Sequence, residues 1–186
     1  MRGLLSKGLG ENILLKWWIM QVFIMRHGDA TMNTINDEAR ELTLKGIEES
    51  KLMANWLAQQ NPVFDQVFTS PYVRAVQTYQ AMQPLLPYSG EQEVLAELIP
   101  AGDPQSIANY LQLLADGGVR TALIISHLPL VGYLVSALCP QEIPPMFPTS
   151  AIAYVEINTE MRHAEYRWQR GPSQILHNVN KLAAHF

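Results

Sequence analysis

Apolar residues along the chain fall into short dense runs, separated by longer stretches where they recur every three or four positions. The runs at 21–26 (QVFIMR), 66–70 (QVFTS), 121–126 (TALIIS) and 151–157 (AIAYVEI) have the length and residue types of buried strands. A weaker alternating stretch, 164–169 (AEYRWQ), predicts a fifth. Between them the period lengthens. Leu44, Ile47, Leu52, Trp56 and Leu57 predict a helix over 43–59, with Thr43 as its N-cap. A second helix is expected over 71–83, with Pro71 at its first position and Ser70 as N-cap. Mostly apolar faces predict two more, over 104–115 and 129–138. Strand alternates with helix, so the chain reads as an α/β domain around a mainly parallel sheet.

Length and composition narrow this picture without changing it. The 186 residues suit one domain, and 48% hydrophobic residues with 16% charged ones are ordinary for a globular core. Met20 opens the first strand as "MQVFIMRH", so residues 1–19 are expected to be an extension and residues 20–186 the single domain. Arg2 and Lys7 before "NILLKWWIM" faintly suggest a signal peptide, but Lys16 breaks the apolar run and no cleavage pattern follows. No segment reaches the roughly 20 apolar residues of a membrane span. A net charge of −4 gives no general pull towards nucleic acid or an anionic membrane, so neither is expected as a partner. The single cysteine, Cys139, excludes an internal disulfide and fits the cytoplasm; it reads as a small buried apolar residue.

Chemistry collects at the predicted strand ends. The first strand delivers Arg26 and His27, the second leads to Arg74 in "TSPYVRAVQT", and the third delivers His127 in "SHLPLVG". The carboxyl ends of strands are where open α/β sheets bind ligands. Two arginines and two histidines there form a cationic pocket, and the planar guanidinium fork matches phosphoryl oxygens. Metal chemistry fits poorly, because there is no paired-histidine or Cys-cluster spacing and Arg26 would repel a dication beside His27. A serine hydrolase fits no better, since "TSP" and "ISH" lack the nucleophile-elbow pattern. A histidine nucleophile on phosphorus remains, with arginines stabilising the equatorial oxygens. Surrounding guanidinium groups bias the ring towards its neutral, reactive form. Gly28, without a side chain, lets the backbone turn and approach the His27 ring or a phosphate.

The ordered set "RHG", "SPYVRAVQT" and "ISHLPLVG" resembles the histidine phosphatase superfamily, also called the phosphoglycerate mutase-like family. With "MQVFIMRHGDA", "LMANWL" and "PPMFPTSAIA" the resemblance is closer still to its small SixA-type members, phosphohistidine phosphatases, over nearly all of residues 20–170. The resemblance implies a three-layer α/β/α fold and catalysis without metal or cofactor. It implies His27 as the phospho-accepting nucleophile, with Arg26, Arg74 and His127 as phosphate ligands and His127 also steadying the transferring group. Arg40, in "ARELTLKG", matches an arginine of the pocket in such proteins; a solvated loop residue is the alternative. Glu97, in "LAEL", falls where the superfamily places its acidic proton donor, or is simply a polar residue at the edge of an apolar stretch.

Larger superfamily members carry a lid and acid in an insertion that is here reduced to "PLLPYSGEQEVLAELIPAGD". That truncation suits a nitrogen–phosphorus bond. A protonated phosphohistidine ring leaves as neutral imidazole, with a reference pKa of ~6.5 for its conjugate acid, whereas an alkoxide needs a proton donor. The expected substrate is therefore a phosphohistidine-bearing protein, such as a histidine-containing phosphotransfer domain or a phosphocarrier. The alternatives are a small-molecule phosphomonoesterase of the same fold and a non-catalytic phosphohistidine-binding module. The "PPMFP" segment is either a docking surface or a packed loop.

Overall fold

Alternation along the first strand decides the layering. In the computed structural model, which describes residues 19–32, 35–88, 90 and 92–183, the β1 strand spans Ile19–Arg26. Its Met20, Val22 and Ile24 join one core, and Phe23 and Met25 join another on the opposite face. β4 (Thr121–Ser126) is buried at every position for the same reason. Helices α3 (Pro104–Asp116) and α4 (Leu130–Leu138) cover the first face through Ile107, Leu111, Val131 and Leu134. Helices α1 (Leu44–Ala58), α2 (Val73–Met82) and α5 (Pro172–Ala183) supply Met53, Leu57, Tyr79, Met82 and Ile175 to the second. The result is a three-layer α/β/α sandwich.

The strands run in the order β3-β2-β4-β1-β5-β6. β2 (Gln66–Thr69), β3 (Glu93–Val94), β4 and β1 are mutually parallel, while β5 (Ile152–Asn158) and β6 (His163–Arg170) add to β1 antiparallel. The sheet is thus parallel where the predicted chemistry lies and antiparallel at one edge. Phe23 and Tyr154 face each other across β1 and β5 with ring centroids 4.9 Å apart.

The predicted strands and helices form within a residue or two of their expected ends, and Thr43 caps α1 by accepting from the Gly46 N–H. Ile19 pairs with Asn158, which moves the start of the sheet one residue upstream of Met20; residues 1–18 lie outside the described residues. Two elements had no expectation. β3 is two residues long, too short to show a period, and α5 follows a strand whose own alternation was weak. The Ser70 cap is a correction: α2 starts at Val73 behind Tyr72, with no side-chain cap. Cys139 is fully buried. Among the described residues, no helix is long and apolar enough to cross a membrane.

Candidate active site

Strand register brings the two histidines together. Arg26 on β1 lies beside Ser126 on β4, so the residues that follow, His27 and His127, leave the sheet as neighbours. The His27 N–H donates to the Ser126 carbonyl at 2.9 Å, and the two imidazole centroids stand 5.0 Å apart. On the other side of β4, Thr69 pairs with Ile125 and the Ser70 N–H donates to the Ile125 carbonyl, which sets Ser70 beside His127. Arg74 enters from the first turn of α2.

His27 is 6% exposed, and both ring nitrogens are engaged. Nδ1 lies 2.7 Å from the Gly28 carbonyl, an acceptor only, so Nδ1 carries the proton. Nε2 therefore holds the lone pair, and Arg74 Nε donates to it at 3.1 Å. Burial is the main cause that pulls the ring's pKa down to about 4; the Gly28 carbonyl opposes it, and Arg74, Arg26 and Arg40 add to it. The imidazole is neutral at pH 7, with its nucleophilic nitrogen turned to a guanidinium.

The arginines are held by backbone and by one carboxylate. Arg74, 3% exposed, donates to the carbonyl and carboxylate of Asp37 and lies over the Tyr72 ring. Arg26 donates through one terminal nitrogen to the Phe147 carbonyl at 2.7 Å, while its buried Nε has no partner among the described residues. Arg40 donates to the Thr31 carbonyl and to Asp37 Oδ1, with a further contact to Met32 Sδ. Burial and then Arg40 and Arg74 lower the Arg26 pKa, so these charges feel one another.

Asp37 was not anticipated. Burial works against its ionisation, but hydrogen bonds from Arg40 and Arg74 win and hold its carboxyl below the usual range. One carboxylate thus ties two of the three arginines and relieves their repulsion. The available signal was the Asp37–Arg40 spacing of three on a helical turn; nothing local announced Arg74 as the second partner.

His127 is 1% exposed. Its Nε2 lies 2.7 Å from Ser70 Oγ, and its buried Nδ1 has no partner among the described residues. Burial first, then His27 and Arg74, push its pKa down to about 2. The Ser70 hydroxyl, expected at a helix cap, is thus spent on this ring, and it accepts only a long 3.3 Å contact from the Tyr72 N–H.

Gly28 brings its backbone against the His27 ring as expected, and it meets a second need. A Cβ there would stand 2.7 Å from the Gly46 carbonyl oxygen, so the missing side chain admits the first turn of α1. Its N–H donates to Thr78 on α2, and its carbonyl takes the His27 proton. "PPMFP" also resolves: Phe147 is buried and its carbonyl holds Arg26, while Met146 stays exposed. Glu97 is exposed on a 3-10 turn and lines a groove with Glu93, Leu95, Ser106 and Tyr110. The charges that shift the two histidines are those of Arg26, Arg40, Arg74 and Asp37 and, for His127, that of His27.

A neutral imidazole with a free ring-nitrogen lone pair beside guanidinium donors is equipped to accept a phosphoryl group. The model for the histidine phosphatase superfamily (branch 1) matches residues 22–98. Phosphohistidine phosphatase SixA of Escherichia coli (strain K12) is 49% identical over 156 residues, which cover 84% of this chain and 96% of that protein. The SixA homolog of Haemophilus influenzae is 37% identical over 164 residues, covering 84% of this chain and 93% of the relative. The solved structure of the protein histidine phosphatase SixA complexed with tungstate has a TM-score of 0.81 and 49% identity, and the match spans 84% of this chain and 99% of that one. On likeness of that extent in both sequence and structure, the chain belongs to the histidine phosphatase superfamily and to its SixA-type members.

Proposed function

We propose that this protein is a hydrolase that removes the phosphoryl group from a phosphohistidine on a partner protein, passing it through His27. The observation that carries the reading is the state of that ring: Nδ1–H on the Gly28 carbonyl, a bare Nε2, and Arg74 within hydrogen-bond distance of it. Kinship with the phosphohistidine phosphatase of E. coli supports the choice of substrate.

Two in-line displacements account for the reaction. Nε2 of His27 bonds to phosphorus as the substrate's nitrogen–phosphorus bond breaks, and the protonated substrate ring leaves as neutral imidazole. Water then attacks the enzyme's phosphohistidine; its proton goes to phosphate or solvent, and Nε2 departs with its electron pair. While phosphorylated, His27 is cationic, and the Gly28 carbonyl that already accepts its Nδ1 proton steadies that charge. Arg26, Arg74 and Arg40 serve the phosphoryl oxygens. Imidazole is a good enough leaving group that Glu97 is not required as an acid. A phosphotransfer domain or phosphocarrier in the cytoplasm is the partner class that such chemistry suits.

The test is transient labelling. Brief reaction with a 32P-phosphohistidine protein and quenching without acid should trap alkali-stable, acid-labile label on the enzyme, on the peptide holding His27. His27→Ala should abolish label and turnover together. Label on His127, or label that survives in His27→Ala, would overturn the assignment. Faster turnover of sugar or nucleotide monoesters than of a phosphohistidine protein would replace this substrate with a small molecule, and label retained without release would leave only a binding module.

A further inference from the structure

Ser70 follows β2, fully buried, and holds a position the phosphoryl chemistry has not yet used. We propose that Ser70 is a positioning residue whose hydroxyl donates to Nε2 of His127 and so keeps the His127 proton on Nδ1, as a donor to the transferring phosphoryl group. The inference rests on the phosphoryl-transfer reading of this pocket.

Counting protons gives the direction of the bond. A hydroxyl has one proton and two lone pairs. The described partners of Ser70 Oγ are the Tyr72 N–H, which can only donate, and Nε2 of His127 at 2.7 Å. The hydroxyl proton therefore goes to Nε2, and a neutral ring with its lone pair there carries its hydrogen on Nδ1. That Nδ1 is buried with no partner among the described residues. A buried donor left without an acceptor is destabilising, so it is retained at an advantage only if a ligand accepts from it.

The opposite tautomer fails on both counts. Nε2–H would take a Ser70 lone pair and leave the hydroxyl proton without an acceptor. It would also present a bare Nδ1 lone pair to anionic oxygens, which repels. Because burial and the neighbouring cations keep His127 neutral, it cannot help phosphate as an imidazolium. Only an N–H can help, and the tautomer decides where the N–H is.

The two histidines are then the same chemical species put to opposite uses. Each is neutral with its proton on Nδ1. In His27 the proton is taken by the Gly28 carbonyl and the Nε2 lone pair is left for phosphorus. In His127 the Nε2 lone pair is taken by Ser70 and the Nδ1 proton is left for a phosphoryl oxygen. A carbonyl against one ring and a hydroxyl against the other separate nucleophile from donor.

Nitrogen-15 NMR of the ring nitrogens tests this directly. His127 in the native enzyme should show a protonated Nδ1 and a bare Nε2, and tungstate, used as a phosphoryl mimic, should shift the Nδ1 proton. Ser70→Ala should give mixed tautomers and lower kcat by ~10- to 100-fold, somewhat less than outright loss of such a donor. KM should move by less than about threefold, and Ser70→Thr should recover most of the rate by keeping the hydroxyl. In a His127→Ala background, adding Ser70→Ala should cost nothing more, since the partner through which Ser70 acts is gone. A native spectrum with the proton on Nε2 overturns the proposal, and so does full additivity of the two substitutions. If Ser70→Ala does not fold, the native spectrum decides alone. The predicted tautomer without turnover of any phosphohistidine protein would leave Ser70's hold on the ring intact and overturn the phosphoryl-donor role.

Discussion

His27 is a titratable group kept from titrating, and that has a consequence for stability. Its pKa drops from 6.5 to about 4, chiefly because burial penalises the imidazolium. Between those values the unfolded chain binds a proton that the folded chain refuses. Stability therefore falls as the pH falls from 6.5 towards 4, and this ring adds no pH dependence above that window. Urea unfolding at pH 7.5, 6 and 5 should show the decline in the native protein and a shallower one in His27→Ala. Equal slopes would mean that the ring titrates normally and that its Nε2 is not held bare. The same scale explains a residue that reading the chain overlooked. Asp37 lies on a short 3-10 turn, and its worth depends on Arg74, 37 residues away, which donates to both its backbone and its carboxylate.

At the scale of elements, the site depends on how closely α1 approaches the end of β1. Gly28 and Gly46 make that approach possible, because a Cβ on either would run into the other segment's backbone. Gly28→Ala should cost about 1–3 kcal/mol, as overpacking does elsewhere in tightly packed cores. It should also slow turnover, since the same residue's carbonyl orients His27. A lower denaturant midpoint at unchanged m-value, with reduced kcat, is the expected result; an unchanged midpoint would mean that the helix can retreat freely. Most elements long enough to repeat a pattern were legible in the chain, the twelve-residue α5 excepted. β3, with two residues, and the start of α2, displaced past Pro71, were not, because both depend on what Thr69 and Ser70 meet across the sheet.

For the whole molecule, the described sheet begins at Ile19, whose pairing with Asn158 closes the β1 ladder. A chain starting at Ile19 should unfold within about 0.5 kcal/mol of the full-length protein and turn over substrate at a similar rate, because both described cores and the site are built from residues 19 onwards. A large loss on either measure would assign residues 1–18 a place on the domain. The strand–helix alternation, the two apolar faces of β1 and the identities of Arg26, His27, Arg74 and His127 were all present in the sequence. They were legible because hydrophobic period and chain order are local properties, and because reactive residues at strand ends point the same way in any parallel sheet. Which partner each histidine nitrogen faces, which carboxylate steadies the arginines, and that Ser70 meets a ring rather than capping a helix were decided only by the folded structure. Each depends on the relative register of β1, β4 and β2, which sets side chains tens of residues apart within 3 Å or so of one another, and a hydrogen bond is decided at that distance.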